Sequence, residues 1–171
     1  RFIYGDNFSE GLAAVVVQDG KSENGRLWGF IDKTGKFVIN PQFDNIPSKF
    51  SEGRAAIVIR QEQQARWQFI DRSGKVVIPG NFQDCERFSN GLAPVCIRKE
   101  GKRIWGFIDL QGKFKIGPCY SEAKPFQEGL AAVRIGTTST EPFDLSASKV
   151  PPGLWGYIDP TGAFLITPQF S

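Results

Sequence analysis

The chain has 171 residues, which is enough for one ordinary domain with a hydrophobic core. Its formal net charge is +3, acidic and basic residues are mixed along it, and it lacks the basic stripe typical of nucleic-acid-binding proteins. It contains no histidine, which excludes Ser-His-Asp catalysis and imidazole metal sites, and no apolar run long enough to span a membrane.

The first recognisable element, Phe8 to Val15, reads Phe-Ser-Glu-Gly-Leu-Ala-Ala-Val and recurs with substitutions at residues 50–57, 88–95 and 126–133. A second element, Trp-Gly-Phe-Ile-Asp or a variant of it, follows each copy and begins at Trp28, Trp67, Trp105 and Trp155. A fixed period of about 40 residues indicates stacked or radial supersecondary units. We therefore predict a single repeat array over residues 1–171, with modules at approximately 2–42, 43–81, 82–119 and 120–169.

The Gly-Leu-Ala-Ala-Val part of the first element alternates like a half-buried β-strand. One face is apolar in every copy and is predicted to be the core face. Its residues are Ala13, Val15, Val17, Ala55, Ile57, Ile59, Ala93, Val95, Ile97, Ala131, Val133 and Ile135. The opposite face is predicted to lie nearer to solvent, because it includes Arg54, Pro94, Cys96 and Arg134. Pro94 lacks an N–H and therefore suggests an edge strand or an unpaired position.

The Trp-Gly-Phe-Ile-Asp element is predicted to be a second strand. Trp, the following aromatic residue and Asp share one face, and Gly and Ile share the other. Glycine inside a strand often marks the close approach of another backbone or ring, and we expect a Trp of the adjacent module to lie over it. Gln68 replaces this glycine in the second module, which predicts a looser contact there.

A turn follows each Trp strand. The segment Asp32-Lys33-Thr34-Gly35 has Asp first and Gly fourth, as type I turns prefer, and its counterparts begin at Asp71, Asp109 and Asp159. Asp can accept backbone N–H bonds across its own turn, and Gly can take a positive φ. The turn therefore closes a β-hairpin with the next strand. We interpret the four aspartates as turn residues and not as a catalytic or metal-binding series.

These elements predict an all-β protein. The favoured architecture is four tandem modules of antiparallel β-hairpins or three-stranded meanders in an open or superhelical array. A four-bladed β-propeller is the alternative, although three clear strands fall short of the usual four-stranded blade. Residues 43–46 are a candidate fourth strand. The chain starts and stops at the same point of the module, which is compatible with a cut from a longer array and with a closed ring.

Insertions are confined to the connection between the first element and the Trp strand. This places them on one side of the array, which is often the binding side. The longest is an inserted loop at 136–153, rich in Thr, Ser and Pro, and the third module has a basic cluster in the loop before Trp105. The candidate binding residues are Phe143 and Leu145 in the first and Lys99, Lys102 and Arg103 in the second. A disordered spacer and a solvated loop are the alternatives.

The three cysteines, Cys85, Cys96 and Cys119, are an odd number at unrelated positions of the repeat. Disulfide scaffolds and zinc sites would show paired, regular spacing, so we expect free thiols and no metal. Unpaired cysteines slightly favour the cytoplasm for a soluble protein, although the compartment stays open. No signal peptide is visible, but a chain that begins at Arg1 leaves export undecided.

Together, the repeated elements resemble the WG-repeat family, also called KWG repeats. The resemblance includes the module ending, which reads Ile39-Asn40-Pro41-Gln42-Phe43 in the first module and Ile166-Thr167-Pro168-Gln169-Phe170 in the last. The departures are Gln68, the segment Pro79-Gly80-Asn81, and Cys119-Tyr120. The resemblance implies a mostly bacterial β-repeat protein, often part of a larger polypeptide, and it carries no catalytic residues over to this chain.

We expect a non-catalytic repeat module without a cofactor, which presents a binding surface to a protein partner and acts as a scaffold. Neither nucleic-acid binding nor membrane insertion is expected. The alternative is a carbohydrate-binding or cell-wall-binding array, in which aromatic rings act as stacking platforms. Those platforms would be Trp28, Trp67, Trp105 and Trp155. We favour burial of these rings in the core, because each lies beside Phe or Tyr in a tightly patterned strand.

Overall fold

The computed structural model describes residues 2–20, 25–61, 64–136 and 153–171. The regular secondary structure in these ranges consists of antiparallel β-strands, which confirms the all-β prediction. The strands are β1 (Phe2–Gly5), β2 (Ala13–Gln18), β3 (Arg26–Ile31), β4 (Phe37–Phe43), β5 (Ala55–Gln61), β6 (Gln64–Ile70), β7 (Val76–Phe82), β8 (Asp84–Cys85), β9 (Leu92–Lys99), β10 (Lys102–Asp109), β11 (Phe114–Ala123), β12 (Ala131–Ile135), β13 (Trp155–Ile158) and β14 (Phe164–Phe170). Within the described ranges, no helix has the length and apolar character needed to cross a bilayer.

The chain divides into two compact units, Arg1–Asn81 and Phe82–Ser171. The first contains a four-stranded sheet in the order β1-β2-β3-β4 and a three-stranded sheet in the order β5-β6-β7. The last residue of β7, Phe82, is the first residue of the second unit. The second contains one sheet in which β8 to β14 are neighbours in chain order. Each sheet is thus an antiparallel meander, as predicted, while the choice between an open array and a closed propeller stays a prediction.

A fourth strand joins the predicted three in most modules. β1 pairs with β2, β8 pairs with β9, and β11 continues beyond its pairing with β10 to pair with β12. In the second module the expected strand at 43–46 is nearly absent, since only Phe43 lies in a strand, at the end of β4. The N–H of Ser48 instead donates to the carbonyl of Ala56 at 2.8 Å.

The core of each unit is shared by two consecutive modules. In the first unit, Leu12, Ala14, Trp28, Phe30, Ile39 and Phe43 of one module pack with Phe50, Ala55, Ile57, Ile59 and Ile70 of the next. In the second unit, Leu92, Cys96, Trp105, Phe107 and Ile116 pack with Phe126, Ala131, Val133, Ile135 and Ile158. The Trp-Phe face of one module therefore covers the Ala-Ile or Ala-Val face of the following one, and modules bury apolar surface against their neighbours.

This stacking corrects the predicted solvent face of the first strand. In β9, Pro94 and Cys96 are buried, and Cys96 is 0% exposed. They share a face with Trp105 and Phe107, which are their partners across the β9–β10 ladder, and this is the face that the following module covers. The prediction describes the two arginines better, since Arg54 before β5 and Arg134 in β12 are both half-buried.

The glycine of the Trp strand has a different neighbour from the one expected. A Cβ added at Gly106 would lie 2.8 Å from the carbonyl oxygen of Ile116 and 2.8 Å from the nitrogen of Pro118. Gly29 and Gly156 meet the same part of their own β4 and β14 strands. The prediction that a Trp ring of an adjacent module lies over this glycine is therefore wrong. The group that approaches the glycine is the backbone of the module's own last strand, at the point where the strand register shifts.

Pro94 does not mark an edge strand, because β9 lies between β8 and β10. The alternative of an unpaired position describes its β8 side only, since Pro94 pairs with Phe107 on the other side. The two-residue β8 ends at Cys85, which pairs with Val95, and beyond it the N–H of Glu86 donates to the Pro94 carbonyl at 3.0 Å. The missing N–H of proline is thus placed where the neighbouring ladder ends.

Candidate functional site

The acidic residue of each Phe-Ser-Glu-Gly element lies in a tight turn. In the first module the N–H of Ser9 donates to Leu12 O at 2.8 Å, and the N–H of Leu12 donates back at 3.0 Å. Both central residues, Glu10 and Gly11, have positive φ, which defines a type I′ hairpin turn. The corresponding pairs with positive φ are Glu52 and Gly53, Asn90 and Gly91, and Glu128 and Gly129.

These turns also connect consecutive modules. The Ser9 hydroxyl donates to the Phe50 carbonyl at 2.8 Å, and the Ser89 hydroxyl donates to the Phe126 carbonyl at 2.6 Å. The Glu10 carboxylate accepts the N–H of Gly53 at 3.0 Å, and Arg72 lies 3.6 Å from that carboxylate. Glu10 therefore stabilises the stack, which explains a carboxylate at this position without a catalytic role.

The four turn aspartates are turn residues, as predicted. Oδ1 of Asp32 accepts the N–H groups of Thr34 at 2.8 Å and Lys36 at 3.1 Å, and the same pattern recurs at the other three. The Thr34 hydroxyl also donates to Asp32, and this bond is the main cause of the lowered pKa of that carboxyl. The pKa of Asp109 is lowered chiefly by the N–H of Lys113. The carboxylates thus hold their hairpins together in ionised form.

The four Trp side chains are not equally placed. Trp105 is 9% exposed and belongs to the core of the second unit, and Trp28 packs against the core of the first, with Tyr4 edge-on at 6.0 Å. Trp28, Trp67 and Trp155 are all half-buried. The core interpretation therefore describes Trp105 fully and Trp28 in part, and the half-buried rings are the remaining candidates for platforms.

The basic cluster is a hairpin tip and not the loop that was predicted. β9 runs to Lys99 and β10 starts at Lys102, so that only Glu100 and Gly101, both with positive φ, form the turn. Lys99 lies directly opposite Lys102 in the ladder, and both side chains are exposed. The strands extend this far because a two-residue type I′ turn matches their twist.

Arg103 differs from the two lysines because its side chain binds an acidic residue. Its guanidinium donates to the Asp84 carboxylate at 2.8 Å and adjoins a pocket of about 380 Å³ that also includes Trp105 and Glu122. Glu122 in turn accepts from Arg134 at 2.8 Å. Asp84, Arg103 and Glu122 at this pocket therefore each have a partner of opposite charge.

The three cysteines are free thiols. Cys96 and Cys119 are buried and Cys85 is half-buried, and no disulfide joins these three described residues. Burial raises the pKa of the Cys85 thiol, with the charges of Asp84 and Glu86 adding to the effect. Burial also raises the pKa of Cys96. Since the thiolate is the nucleophilic form, the raised pKa values make Cys85 and Cys96 poor nucleophiles at neutral pH.

Two predicted binding residues, Phe143 and Leu145, lie outside the described residues. The insertion that carries them is anchored at both ends by backbone bonds. The N–H of Ile135 donates to Leu154 O at 3.0 Å, and the N–H of Gly153 donates to Ile135 O at 2.9 Å. Among the residues that the structure describes, no group of three or more His, Cys, Asp and Glu is placed to hold a metal ion.

The repeated Trp-Gly strand, its bulged partner and the Asp turn form one unit that recurs along the chain. The sequence profile of the WG containing repeat matches residues 28–61, 67–102, 105–136 and 155–171. The chain belongs to the WG-containing repeat family. It has no significant match among curated proteins. Each of the first three matches spans the Trp hairpin of one module and the first strand of the next.

Sequence reasoning missed the contacts between WG modules. The Ser at the second position of Phe-Ser-Glu-Gly was recognised as part of a repeat but not as a donor to the next module. A signal was present, since Ser occupies that position in the first three modules and Gln127 in the last. A polar residue kept at every copy of an otherwise apolar junction indicates a recurring hydrogen bond.

Proposed function

We propose that this chain is a non-catalytic WG-repeat module, part of a larger protein, that presents a protein-binding surface. The observation that carries the proposal is the tip of the β9–β10 hairpin. Lys99 lies opposite Lys102 and Arg98 opposite Arg103, so four cations form two like-charge cross-strand pairs. Like charges that lie directly opposite destabilise an antiparallel pair, and a partner that neutralises them explains their presence.

The chemistry of the tip specifies the kind of partner. Lys99 and Lys102 are exposed, and their ammonium groups are compact point charges on flexible stems. Among the described residues, Arg103 is the one cation of the tip with an acidic partner, Asp84. An acidic surface on another protein would complement the remaining cations and speed association at low salt.

The carboxylates and thiols that could act in catalysis have structural roles or raised pKa values, which supports a non-catalytic role. The turn aspartates accept bonds from their own turns, and Glu10 accepts a bond from Gly53. The thiols of Cys85 and Cys96 have raised pKa values and stay protonated. These groups have structural explanations, which leaves the surface as the functional part of the module.

The test is a pull-down from a lysate of the source cells, with purified cell wall in parallel. We compare the intact chain with a Lys99→Glu/Lys102→Glu variant and with a Lys75→Glu/Lys113→Glu control of equal charge change. A defined protein that is captured by the intact chain and the control, and lost with the tip variant, supports the proposal. Retention on cell wall by all three, without a captured protein, would favour the carbohydrate alternative.

A further inference from the structure

A phenylalanine from one WG module fills a socket in the module before it. Phe50 and Phe126 are each 1% exposed. The Phe50 ring meets Phe30 edge-on at 4.9 Å, and the Phe126 ring meets Phe107 at 5.1 Å. Each socket therefore has an aromatic floor on the Trp strand, and a leucine of the first strand belongs to the same core cluster, Leu12 or Leu92.

The fourth module has the same socket, but it is open. A pocket of about 410 Å³ is lined by Leu130, Ala132 and Tyr157, which correspond in register to Leu12, Ala14 and Phe30. All three pocket residues are half-buried, whereas their counterparts in the first module are buried. Gln127 and Glu128 of the type I′ turn also line the pocket, where the turns of the first and third modules bond to the following module.

The matching plug is exposed at the first module. Phe8 begins the first Phe-Ser-Glu-Gly turn and is 47% exposed, while its counterparts are each 1% exposed. The counterparts are Phe50, Phe88 and Phe126. The strand that follows Phe8 is already packed, since Ala13 and Val15 are buried, so the available contact is confined to the turn.

We propose that Phe8 of one copy of this chain occupies the open socket of the fourth WG module of a second copy. The edge charges fit this occupant. Within the first unit Glu10 binds Arg72 and the N–H of Gly53, and the equivalent groups across the proposed contact are Glu128, Lys33 and the N–H of Gly11. The carboxylate of Glu128 would therefore meet a cation and a backbone donor.

The contact is heterologous, because plug and socket are different surfaces of the chain. Such contacts join copies head to tail. A single aromatic side chain and its turn bury little surface compared with a stable dimer, so we expect association on the order of 100 µM rather than nanomolar. The contact does not involve Lys99 or Lys102, so its failure would leave the proposed partner surface untouched.

Sedimentation velocity over a concentration series of the full chain tests the proposal. Three single variants separate the surfaces: Phe8→Ala removes the plug, Ala132→Arg fills the socket, and Leu165→Ala alters an exposed apolar residue elsewhere on the fourth module, 65% exposed. We expect concentration-dependent association of the intact chain and of Leu165→Ala. Phe8→Ala and Ala132→Arg should each weaken it at least tenfold.

Mixing the two defective variants gives the decisive measurement. Phe8→Ala keeps its socket and Ala132→Arg keeps its plug, so the mixture should form a 1:1 dimer that grows no further. Circular dichroism and thermal melting confirm that each variant is folded before mixing. An intact chain that stays monomeric to about 1 mM overturns the proposal, as does association that both variants retain or a mixture of folded variants that does not pair.

Discussion

Trp105 shows how one repeated residue serves the core of this protein. Its side chain is 9% exposed and belongs to the cluster between the third and fourth modules. Trp155 occupies the same position of the repeat but is only half-buried. The same residue in the same strand of the repeat therefore contributes differently to stability, because a neighbouring module covers one ring more completely than the other.

Replacement of Trp105 with Ala should lower the free energy of unfolding by about 3–5 kcal/mol, since a buried aromatic ring leaves a cavity. Urea denaturation followed by circular dichroism measures this change. Trp155→Ala is the matched control and should cost clearly less. Equal losses for the two variants would contradict the difference in burial.

Gly106 has no side chain, and this lets the backbone of β11 approach it closely. A Cβ would lie 2.8 Å from the carbonyl oxygen of Ile116, which belongs to the backbone and cannot rotate away. We expect Gly106→Ala to lower the unfolding free energy by about 1–3 kcal/mol through overpacking. Gly117→Ala is the control, because its Cβ meets nothing within 4 Å. The explanation fails if both alanine variants unfold at the same denaturant concentration.

The second module departs from this pattern at two places. It has Gln68 where the others have glycine, and its ending reads Ile78-Pro79-Gly80 where the first module reads Ile39-Asn40-Pro41. Proline has moved one position towards the N terminus, and glycine takes its former place. The atoms that crowd Gly29 are backbone atoms of Ile39, Asn40 and Pro41, which the second module also has, so the exchange of proline for glycine does not by itself explain the side chain at Gln68.

At the scale of elements, the type I′ turns place a non-glycine residue in a strained backbone conformation, and in the first module that residue also bonds to the next module. Glutamate at positive φ is uncommon, whereas asparagine tolerates this conformation. Asn90 occupies the position in the third module, and Glu10 and Glu128 occupy it in the first and fourth. Glu10 offsets the cost through its bond to Gly53, and Glu128 has no counterpart of that bond among the described residues.

Glu128→Asn should therefore raise the unfolding free energy by about 0.5–1 kcal/mol, as a better turn residue replaces a strained one. Glu10→Asn should bring no gain, because the lost bond to Gly53 is worth about as much. Chemical denaturation at pH 7 compares the two. A stabilisation of similar size in both variants would show that the bond from Gly53 carries no weight.

The Asp turns make the hairpins sensitive to acid. The pKa of Asp159 is lowered, first by the hydroxyl of Thr161, and Asp32 and Asp71 follow the same pattern. A carboxyl with a lower pKa in the folded state stabilises it fully above the unfolded pKa of about 3.9. This contribution is lost as pH falls through the folded pKa, because the unfolded chain then binds more protons.

We therefore expect the unfolding free energy to be constant near neutral pH and to fall as pH drops below about 4. Denaturation midpoints at pH 7, 5, 4 and 3 measure this slope. Asp159→Asn should reduce the slope, because it removes one linked proton, and Asp44→Asn provides an exposed carboxylate outside the four turns as control. Unchanged slopes in Asp159→Asn would show that the turn bond is not linked to folding.

At the scale of the whole molecule, repetition makes the exposed surfaces informative. The same face is buried in the first and third modules and half-open in the fourth, and the same phenylalanine is buried in three modules and exposed in the first. In a repeat protein, stability is the sum of modules and their junctions. A module surface that is left open in this chain is therefore expected to fit the same group that covers its counterpart in another module.

The amino-acid sequence by itself determined the repeat, the strands, the hairpin turns and the role of the four turn aspartates. These features depend on neighbours within a few residues, so alternation and turn chemistry specify them. Only the tertiary structure decided that Cys96 and Pro94 are buried, that Gly106 meets its own module's backbone, and that Phe8 is exposed. These outcomes depend on which module covers which face, and residues about 40 positions apart in sequence control that packing.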